Sequence, residues 1–516
     1  MQGEIEVKGA AGIRPGQRKL LVPGRNCCAA AMARRAALLV DAEAYFAELD
    51  KVLRMARQSI YIIGWDFDAR VRLRPRDGPD TPALGALLRA LVEERPELEV
   101  RVLVWSLAAV HAPGATLPLV LGEEWQNHPR IHLHLDTHHP LHAAHHQKIV
   151  LIDDSIAFVG GMDLTIERWD TTSHEAEHPL RHNPDGSSYD PVHDLQMVAD
   201  GPVARIVAQV VRERWRDAVG EDLALGPPVE RWPEGLEPEF ADVPMAVART
   251  IPSLGGRRPV EESAQLTEDM LRAAEHTIYI EAQYFTARRL RSILGESLSR
   301  PRGPEIVVIC TRSANGMIER FIMGANRERL LRVLKQADRY NRLHIHYPVV
   351  PGLTGDHRVL VHAKLMIVDD NVMCVGSSNL NNRSVGLDTE CDLAIEADRP
   401  ESRAAIAGCR ERLMAEHLGV EPALVRAAVL REGSLSRAIE RLNHNSRGLR
   451  ALTVYRGSTR SFPGTGLLDP ERPFRFIERL RKLFGRGPAH DVPAERDRTS
   501  SDEASKTLPS TSGKRK

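Results

Sequence analysis

One spaced phrase occurs twice in this chain, and no other feature restricts the fold as tightly. His146, Lys148, Asp153 and Gly160 recur at the same internal spacing as His362, Lys364, Asp369 and Gly376. Both copies read HxKxxxxDxxxxxxG, and the histidines stand 362 − 146 = 216 positions apart. One copy alone would be weak evidence. Each copy rides on an apolar run built like a buried strand, so the pair reads as a duplicated half that contributes twice to one composite site.

Other phrases repeat in the same order. Helical periodicity over 41–57 leads into a strand-like run at 59–65, and 262–275 leads likewise into 277–283; the offset, 277 − 59 = 218, nearly equals that of the histidines. Each half continues with a second helix and strand, at 83–94 and 98–105 in the first and at 287–298 and 305–310 in the second. Alternation of helices with short apolar strands predicts an α/β layer architecture in each half. The proline-rich stretch 225–238 suits an irregular connection, and from about residue 491 the chain turns polar and reads as a disordered tail. The expected organisation is an N-terminal extension (1–38), a first half (39–222), a linker (223–241), a second half (242–420), a C-terminal helical extension (421–490) and the tail (491–516).

Composition narrows the partners. Lysine plus arginine equals aspartate plus glutamate at 70 each in 516 residues, whereas dedicated nucleic-acid binders carry a basic excess, so no nucleic-acid partner is expected. Cys27, Cys28, Cys310, Cys374, Cys391 and Cys409 form no regular pairs, which suits a reducing compartment. No signal-peptide pattern opens the chain and no run of 18 apolar residues occurs, so a cytoplasmic protein that does not span the membrane is expected, with peripheral docking on the inner membrane face left open.

Side chains two apart on a strand share a face, so His146 points with Lys148 and His362 with Lys364. Joining the halves about a pseudo-two-fold axis converges two imidazoles and two ammonium groups on one point. That set suits a phosphodiester: lysines neutralise the non-bridging oxygens, one histidine attacks phosphorus and the other protonates the leaving oxygen. Ser377 and Asn379 in the second copy, and Gly161 and Asp163 in the first, fall where further contacts to the phosphate are expected, and their difference makes the halves non-equivalent.

These residues resemble the phospholipase D superfamily, whose signature is HxKxxxxD with a downstream Gly-Ser or Gly-Gly. The likeness is close over 145–164 and 361–384 and loose from about 40 to 418, and it resembles the two-motif phospholipases of bacteria and plants more than the single-motif nucleases. The resemblance implies two duplicated α/β/α sandwich halves related by a pseudo-two-fold axis, the active site at their interface, and chemistry without a metal or other cofactor. It implies that His146 becomes transiently phosphorylated while His362 acts as general acid and then general base, with water or an alcohol as acceptor. Asp153 and Asp369 are implied to be mainly structural. A downstream carboxylate is implied to orient each histidine: Glu390 for His362, and Asp194, displaced by a polar insertion over 171–189, for His146.

Remaining features carry weaker expectations. His132, His134, His138, His139, His142 and His145 crowd the first motif, but no cysteine or carboxylate completes a zinc-ligand spacing there. Trp65, Gln283 and Tyr284 end the first strand of each half, where they either contact substrate or pack beneath the site. Residues 469–486 read as a basic amphipathic helix suited to an anionic lipid surface or to docking on the core. The leading functional expectation is hydrolysis of the distal phosphodiester of a glycerophospholipid by a monomer at a membrane surface. Cardiolipin-synthase-like phosphatidyl transfer, a nucleic-acid phosphodiesterase and a non-catalytic lipid-binding descendant are the alternatives.

Overall fold

Apart from the short strands at 192–193 and 360–361, which pair with each other, the described strands of the two halves form one continuous sheet. The computed structural model describes residues 19–105, 124–140, 142–312, 317–353, 355–444, 446–454, 457–459 and 469–472, with backbone alone for 317–323. Its first half contains β1 (Ala29–Val40), β2 (Ser59–Gly64), β3 (Glu99–Trp105), β4 (Ile131–Asp136), β5 (Ile149–Ile152), β6 (Ile156–Gly160), β7 (Val192–His193) and β8 (Leu195–Asp200). The second half contains β9 (Phe240–Ile251), β10 (Val260–Glu261), β11 (Thr277–Ala282), β12 (Glu305–Cys310), β13 (Leu343–Gly352), β14 (Gly355–Arg358), β15 (Leu360–Val361), β16 (Lys364–Val368), β17 (Val372–Gly376), β18 (Glu390–Glu396) and β19 (Gly448–Ala451).

The first half pairs in the order β4-β3-β2-β5-β6-β8-β1. The second repeats it as β13-β12-β11-β16-β17-β18-β9. The two series meet where β1 and β9 run antiparallel, from Ala29 opposite Val247 to Ala36 opposite Phe240. A sheet whose halves have the same order and join through one antiparallel pair has a pseudo-two-fold axis at that pair.

Strand periodicity explains the layers. In β5, Ile149 and Leu151 face a core shared by both halves, while Val150 and Ile152 face an outer core of the first half. In β16, Leu365 and Ile367 face the shared core and Met366 and Val368 the outer core of the second half. The helices Pro202–Val219 and Pro400–Leu418 fill the shared core with Val207, Val211, Trp215, Ile406, Leu413 and Leu418, each 0 % exposed. The outer faces are closed by Asp41–Met55 and Leu84–Glu94 on one half and by Glu262–Ala273 and Arg288–Ser299 on the other. Each half is thus an α/β/α sandwich, and the common core joins them.

The expected domain limits need correction at three places. Residues 29–38, read as an extension, are most of β1, because alternation over Ala37, Leu38, Leu39 and Val40 buries one set in each core. The second half opens at Phe240, two residues inside the stretch read as a linker. Beyond 421 the helices Pro422–Glu432 and Leu435–Leu442 are followed by β19, which returns to pair with β13, so that segment is not purely helical. All described residues belong to one compact unit, and among them no helix is long and apolar enough to cross a membrane. The basic helix read over 469–486 lies outside the described residues apart from 469–472, and the polar tail lies wholly outside them.

Candidate active site

Two short cross-connections between the halves build the site. Strand β7 pairs in parallel with β15, Val192 beside Leu360 and His193 beside Val361, and the His362 amide donates to the His193 carbonyl at 2.7 Å. The pseudo-symmetric counterpart is a parallel bridge between His145 and Thr389, with the His146 amide donating to the Thr389 carbonyl at 3.0 Å. Each motif histidine therefore emerges alongside the residue that follows the partner strand in the other half. His146 Nδ1 lies 3.0 Å from Glu390 Oε2, and His362 Nδ1 lies 2.6 Å from Asp194 Oδ2.

The expected partnership is thereby corrected: Glu390 serves His146 and Asp194 serves His362, each across the axis. Spacing along the chain suggested pairing within a half, but the cross-strand bridges place the carboxylates opposite. With Nδ1 against a carboxylate, each ring is oriented and its Nε2 is left for chemistry. The His146 and His362 side chains remain 16 % and 11 % exposed, whereas Glu390 and Asp194 are at 0 % and 2 %, so only the rings meet solvent.

The residues after each motif act on these carboxylates. A Cβ on Gly161 would stand 2.1 Å from Asp194 Oδ1, so only glycine fits there. At the matching position Ser377 Oγ donates to Glu390 Oε2 at 2.6 Å and accepts from the Cys391 amide at 3.0 Å. The Gly161 and Ser377 amides donate to the Leu195 and Cys391 carbonyls. Gly161 and Ser377, expected to contact phosphate, both adjoin the carboxylates that face the motif histidines.

The lysines differ in the same way. Lys148 Nζ pairs with Asp163 Oδ2 at 3.1 Å and donates to the His146 carbonyl at 3.0 Å. Asp163 also accepts from the Trp65 amide at 2.8 Å, so it ties Lys148 to the end of β2. Lys364 Nζ donates to the His362 carbonyl, lies 3.1 Å from His362 Nδ1 and 3.5 Å from Gln283 Oε1, and among the described residues has no carboxylate hydrogen-bonded to it. Asn379, which stands where the first half has Asp163, is 8 % exposed, and its Oδ1 is buried without a hydrogen-bond partner. Trp65 is half-buried and packs against Trp105, ring centroids 5.8 Å apart; Tyr284 is also half-buried.

Electrostatics separate the two pairs further. Burial and the Lys364 ammonium hold His362 down at about 3 despite Asp194, and the His362 ring and Lys364 bring Asp194 to about 2 although burial opposes this. That pair is therefore a carboxylate beside a neutral ring at neutral pH. Burial, Lys148 and Lys364 push His146 well below the usual imidazole value, while burial raises Glu390 to about 8 in spite of hydrogen bonds from Ser377 and Ser384. The His146–Glu390 pair thus keeps one proton near neutrality. Burial and the nearby Lys148 lower Lys364 to about 7.

Asp153 and Asp369 lie away from these groups. Asp153 accepts from the amides of Arg57, Gln58 and Ser59 at 2.7–2.9 Å, and Asp369 from those of Glu275, His276 and Thr277 at 2.7–2.8 Å. Both begin turns in which Asp153 and Asp154, and Asp369 and Asp370, all have φ near +50°, a left-handed backbone that aspartate tolerates. Each motif aspartate therefore ties a hairpin turn to the start of the half's first central strand. The crowding histidines also have structural places: His145 sits 3.2 Å from Asp136 and bonds Arg214, and His134 packs edge-on against Trp215. Among the described residues, His132 and His134 join no metal-ligand cluster. Sequence reasoning missed Arg168, whose positive field reaches both His362 and Lys364; it lies in no repeated motif, so nothing in the spacing marked it.

The sequence model of the family described as "Phospholipase D" matches residues 130–230, and that described as "Cardiolipin synthase, PLD-like domain" matches residues 268–407, one motif in each. The chain belongs to the phospholipase D superfamily. Among relatives within that superfamily, phospholipase D alpha 1 of Carica papaya is 25 % identical over 71 % of this chain and 62 % of its own length. Phospholipase D1 of Saccharomyces cerevisiae is 24 % identical over 75 % of this chain and 29 % of its own. The chain thus spans less than two thirds of these phospholipases. The crystal structure of phosphatidylserine synthase from Haemophilus influenzae Rd KW20 superimposes with a TM-score of 0.49 at 13 % identity, covering 80 % of this chain and 96 % of that one.

Proposed function

We propose that this protein is a phospholipase D-type phosphodiesterase that cleaves the distal phosphodiester of a glycerophospholipid and yields phosphatidate and the free head-group alcohol. The observation that carries this reading is the crossed geometry: two histidines, each oriented by a buried carboxylate of the opposite half at 3.0 and 2.6 Å, beside two lysines. His146 Nε2 attacks phosphorus, the P–O bond to the head group breaks, and His362, which enters this step as the imidazolium that the bound phosphodiester anion stabilises, gives its Nε2 proton to the leaving alkoxide. The phosphoryl group then rests on His146 as a phosphoramidate while His362, now neutral beside ionised Asp194, takes a proton from water. The water oxygen attacks phosphorus, phosphatidate leaves and His146 is regenerated. Lys148, Lys364 and Arg168 offset the charge on the non-bridging oxygens.

An alcohol in place of water gives transphosphatidylation by the same steps, and the family described as "Cardiolipin synthase, PLD-like domain" over 268–407 supports keeping a lipid alcohol among the acceptors. Incubation with a panel of phospholipids, with and without ethanol, tests the class by mass spectrometry. Phosphatidate, and phosphatidylethanol with ethanol present, are expected. Diphosphatidylglycerol from phosphatidylglycerol alone would favour the synthase, and cutting of plasmid DNA with no lipid product would overturn the lipid reading. Both motifs lie in one chain, so a single chain supplies both histidine–lysine pairs, and its lipid substrate brings it to a membrane surface.

One observation favours a second reading of the roles. Glu390, raised to about 8, leaves a proton on the His146–Glu390 pair, which is what a general acid requires, whereas His362 beside ionised Asp194 is neutral, as a nucleophile must be. Acid trapping of the covalent intermediate followed by peptide mapping decides between His146 and His362 as the phosphorylated residue.

A further inference from the structure

Behind the catalytic pair lies a second cluster that the chemistry does not use. Asp41, His174, His193 and Glu416 converge from the start of one helix, the 171–189 insertion, β7 and the end of another helix, and each side chain is at most 5 % exposed. His174 Nε2 lies 3.4 Å from Asp41 Oδ2 and 2.9 Å from Glu416 Oε1; His193 Nδ1 lies 3.1 Å from Asp41 Oδ1 and 2.9 Å from the same Glu416 oxygen. All four ligand atoms fall within 4.8 Å of one another. Four donors about 2.0–2.2 Å from one ion at tetrahedral angles stand about 3.3–3.6 Å apart, so this packing is that of a coordination shell drawn inward.

The orientation of the rings points the same way. His174 faces the cluster with Nε2 because its Nδ1 bonds Asp170 Oδ2 at 3.0 Å, and His193 faces it with Nδ1 because its Nε2 bonds Glu281 Oε2 at 2.8 Å. An outer carboxylate on the far nitrogen is the arrangement that fixes the tautomer of a metal-ligating histidine. One atom aimed into the cluster, Asp41 Oδ2, is buried with no hydrogen-bond partner among the described residues, in a residue 1 % exposed. The outer groups are themselves held: Asp170 by Arg181 Nη1 at 3.1 Å, and Glu281 by His417 Nε2 at 3.0 Å and by the Tyr279 hydroxyl.

We propose that Asp41, His174, His193 and Glu416 bind one structural divalent ion of the zinc class. Two imidazoles and two carboxylates suit zinc, whereas calcium and magnesium take oxygen ligands alone. The ion neutralises two buried carboxylates and staples the insertion to the core. It also supports the reacting pair. His193 immediately precedes Asp194, its carbonyl accepts the His362 amide at 2.7 Å, and Asp41 both donates its amide to the Asp194 carbonyl at 2.9 Å and accepts the Asp194 amide at 3.2 Å.

The test is metal analysis of the full chain, purified without added metal and briefly exposed to EDTA while folded. One equivalent of zinc per chain is expected, falling by one equivalent in His174→Ala and in Glu416→Gln. Cobalt introduced during refolding is expected to give visible bands of tetrahedral intensity. A wild-type chain free of metal that refolds equally well with and without zinc would overturn the site, since protons would then occupy the place assigned to the ion. Unchanged stoichiometry in folded His174→Ala would overturn it by placing the metal elsewhere. Should both variants fail to fold, the wild-type cobalt spectrum decides, and six-coordinate or absent bands count against the proposal.

Discussion

Crossed pairing predicts that a carboxylate mutation in one half reproduces the phenotype of the histidine in the other. Asp194→Asn is the sharpest case. Its oxygen lies 2.6 Å from His362 Nδ1 in a site where Asp194 is 2 % exposed, so the amide removes a buried charge-assisted bond and disturbs the ring tautomer. Loss of such a carboxylate lowers turnover by about 10³–10⁴-fold, or about 4–5.5 kcal/mol of transition-state stabilisation. If His362 is the general acid, the loss depends on the leaving group: a phosphatidyl nitrophenol, whose phenolate departs unprotonated, should recover most of the first-step rate in both Asp194→Asn and His362→Ala. Glu390→Gln and His146→Ala should be slow with both substrates. If the roles are exchanged the two pairs of phenotypes exchange together, so the correlation tests the crossing independently of the roles. Asp194→Asn matching His146→Ala across both substrates, with Glu390→Gln matching His362→Ala, would refute the argument.

Asp369→Ala leaves three backbone donors without their acceptor, so it should lower stability by about 3 kcal/mol in denaturant unfolding while the rate per folded molecule changes little. Gly161→Ala should reduce kcat by on the order of 10²-fold with little change in lipid binding, because its Cβ would meet Asp194 Oδ1 at 2.1 Å and displace it; a near-normal kcat would show that this contact is not needed. Lys364, lowered to about 7, is charged below that pH in the free protein, so kcat/KM should fall as pH rises through about 7, and Lys364→Arg should remove that limb. The same shift has a stability counterpart: between about 7 and the usual lysine value the unfolded chain binds the extra proton, so this group makes unfolding harder as pH rises, whereas Glu390, raised to about 8, works in the opposite sense from the usual carboxylate value up to about 8.

Much of the fold was legible because it follows from periodicity. The alternation in 149–152 and 365–368 announces strands buried on both faces, and the constant offset announces two halves with one strand order. The edges were less legible. β1 begins Ala-Ala-Ala-Met-Ala-Arg-Arg, a composition that favours helix over strand, and only its pairing with β8 and β9 makes it extended. The histidines, the lysines and the structural nature of Asp153 and Asp369 were readable from the motif, whereas the contacts of Gly161, Asp163 and Ser377 were not. Those residues make contacts with Asp194, Lys148 and Glu390 across the sheet, and a spacing rule carries no information about which way a side chain at the end of a strand is aimed.

The carboxylate partnership marks where chain proximity and spatial proximity part. Glu390 lies on β18, the second strand of its half from the axis after β9, and its own half's histidine enters β16 two strands further on. The parallel bridge from His145 to Thr389 overrides that order by laying the first motif directly against the residue before Glu390, as β15 against β7 lays the second motif against the residue before Asp194. Neither half can then orient its own histidine. A first half folded alone would retain His146 without Glu390 and Asp194 without His362, so both carboxylates would be uncommitted in what is now a buried interface. The shared core and the two bridges are therefore a condition of the chemistry as well as of the fold, and the β1–β9 seam on which the halves meet is the element whose disruption should abolish turnover before it unfolds either half.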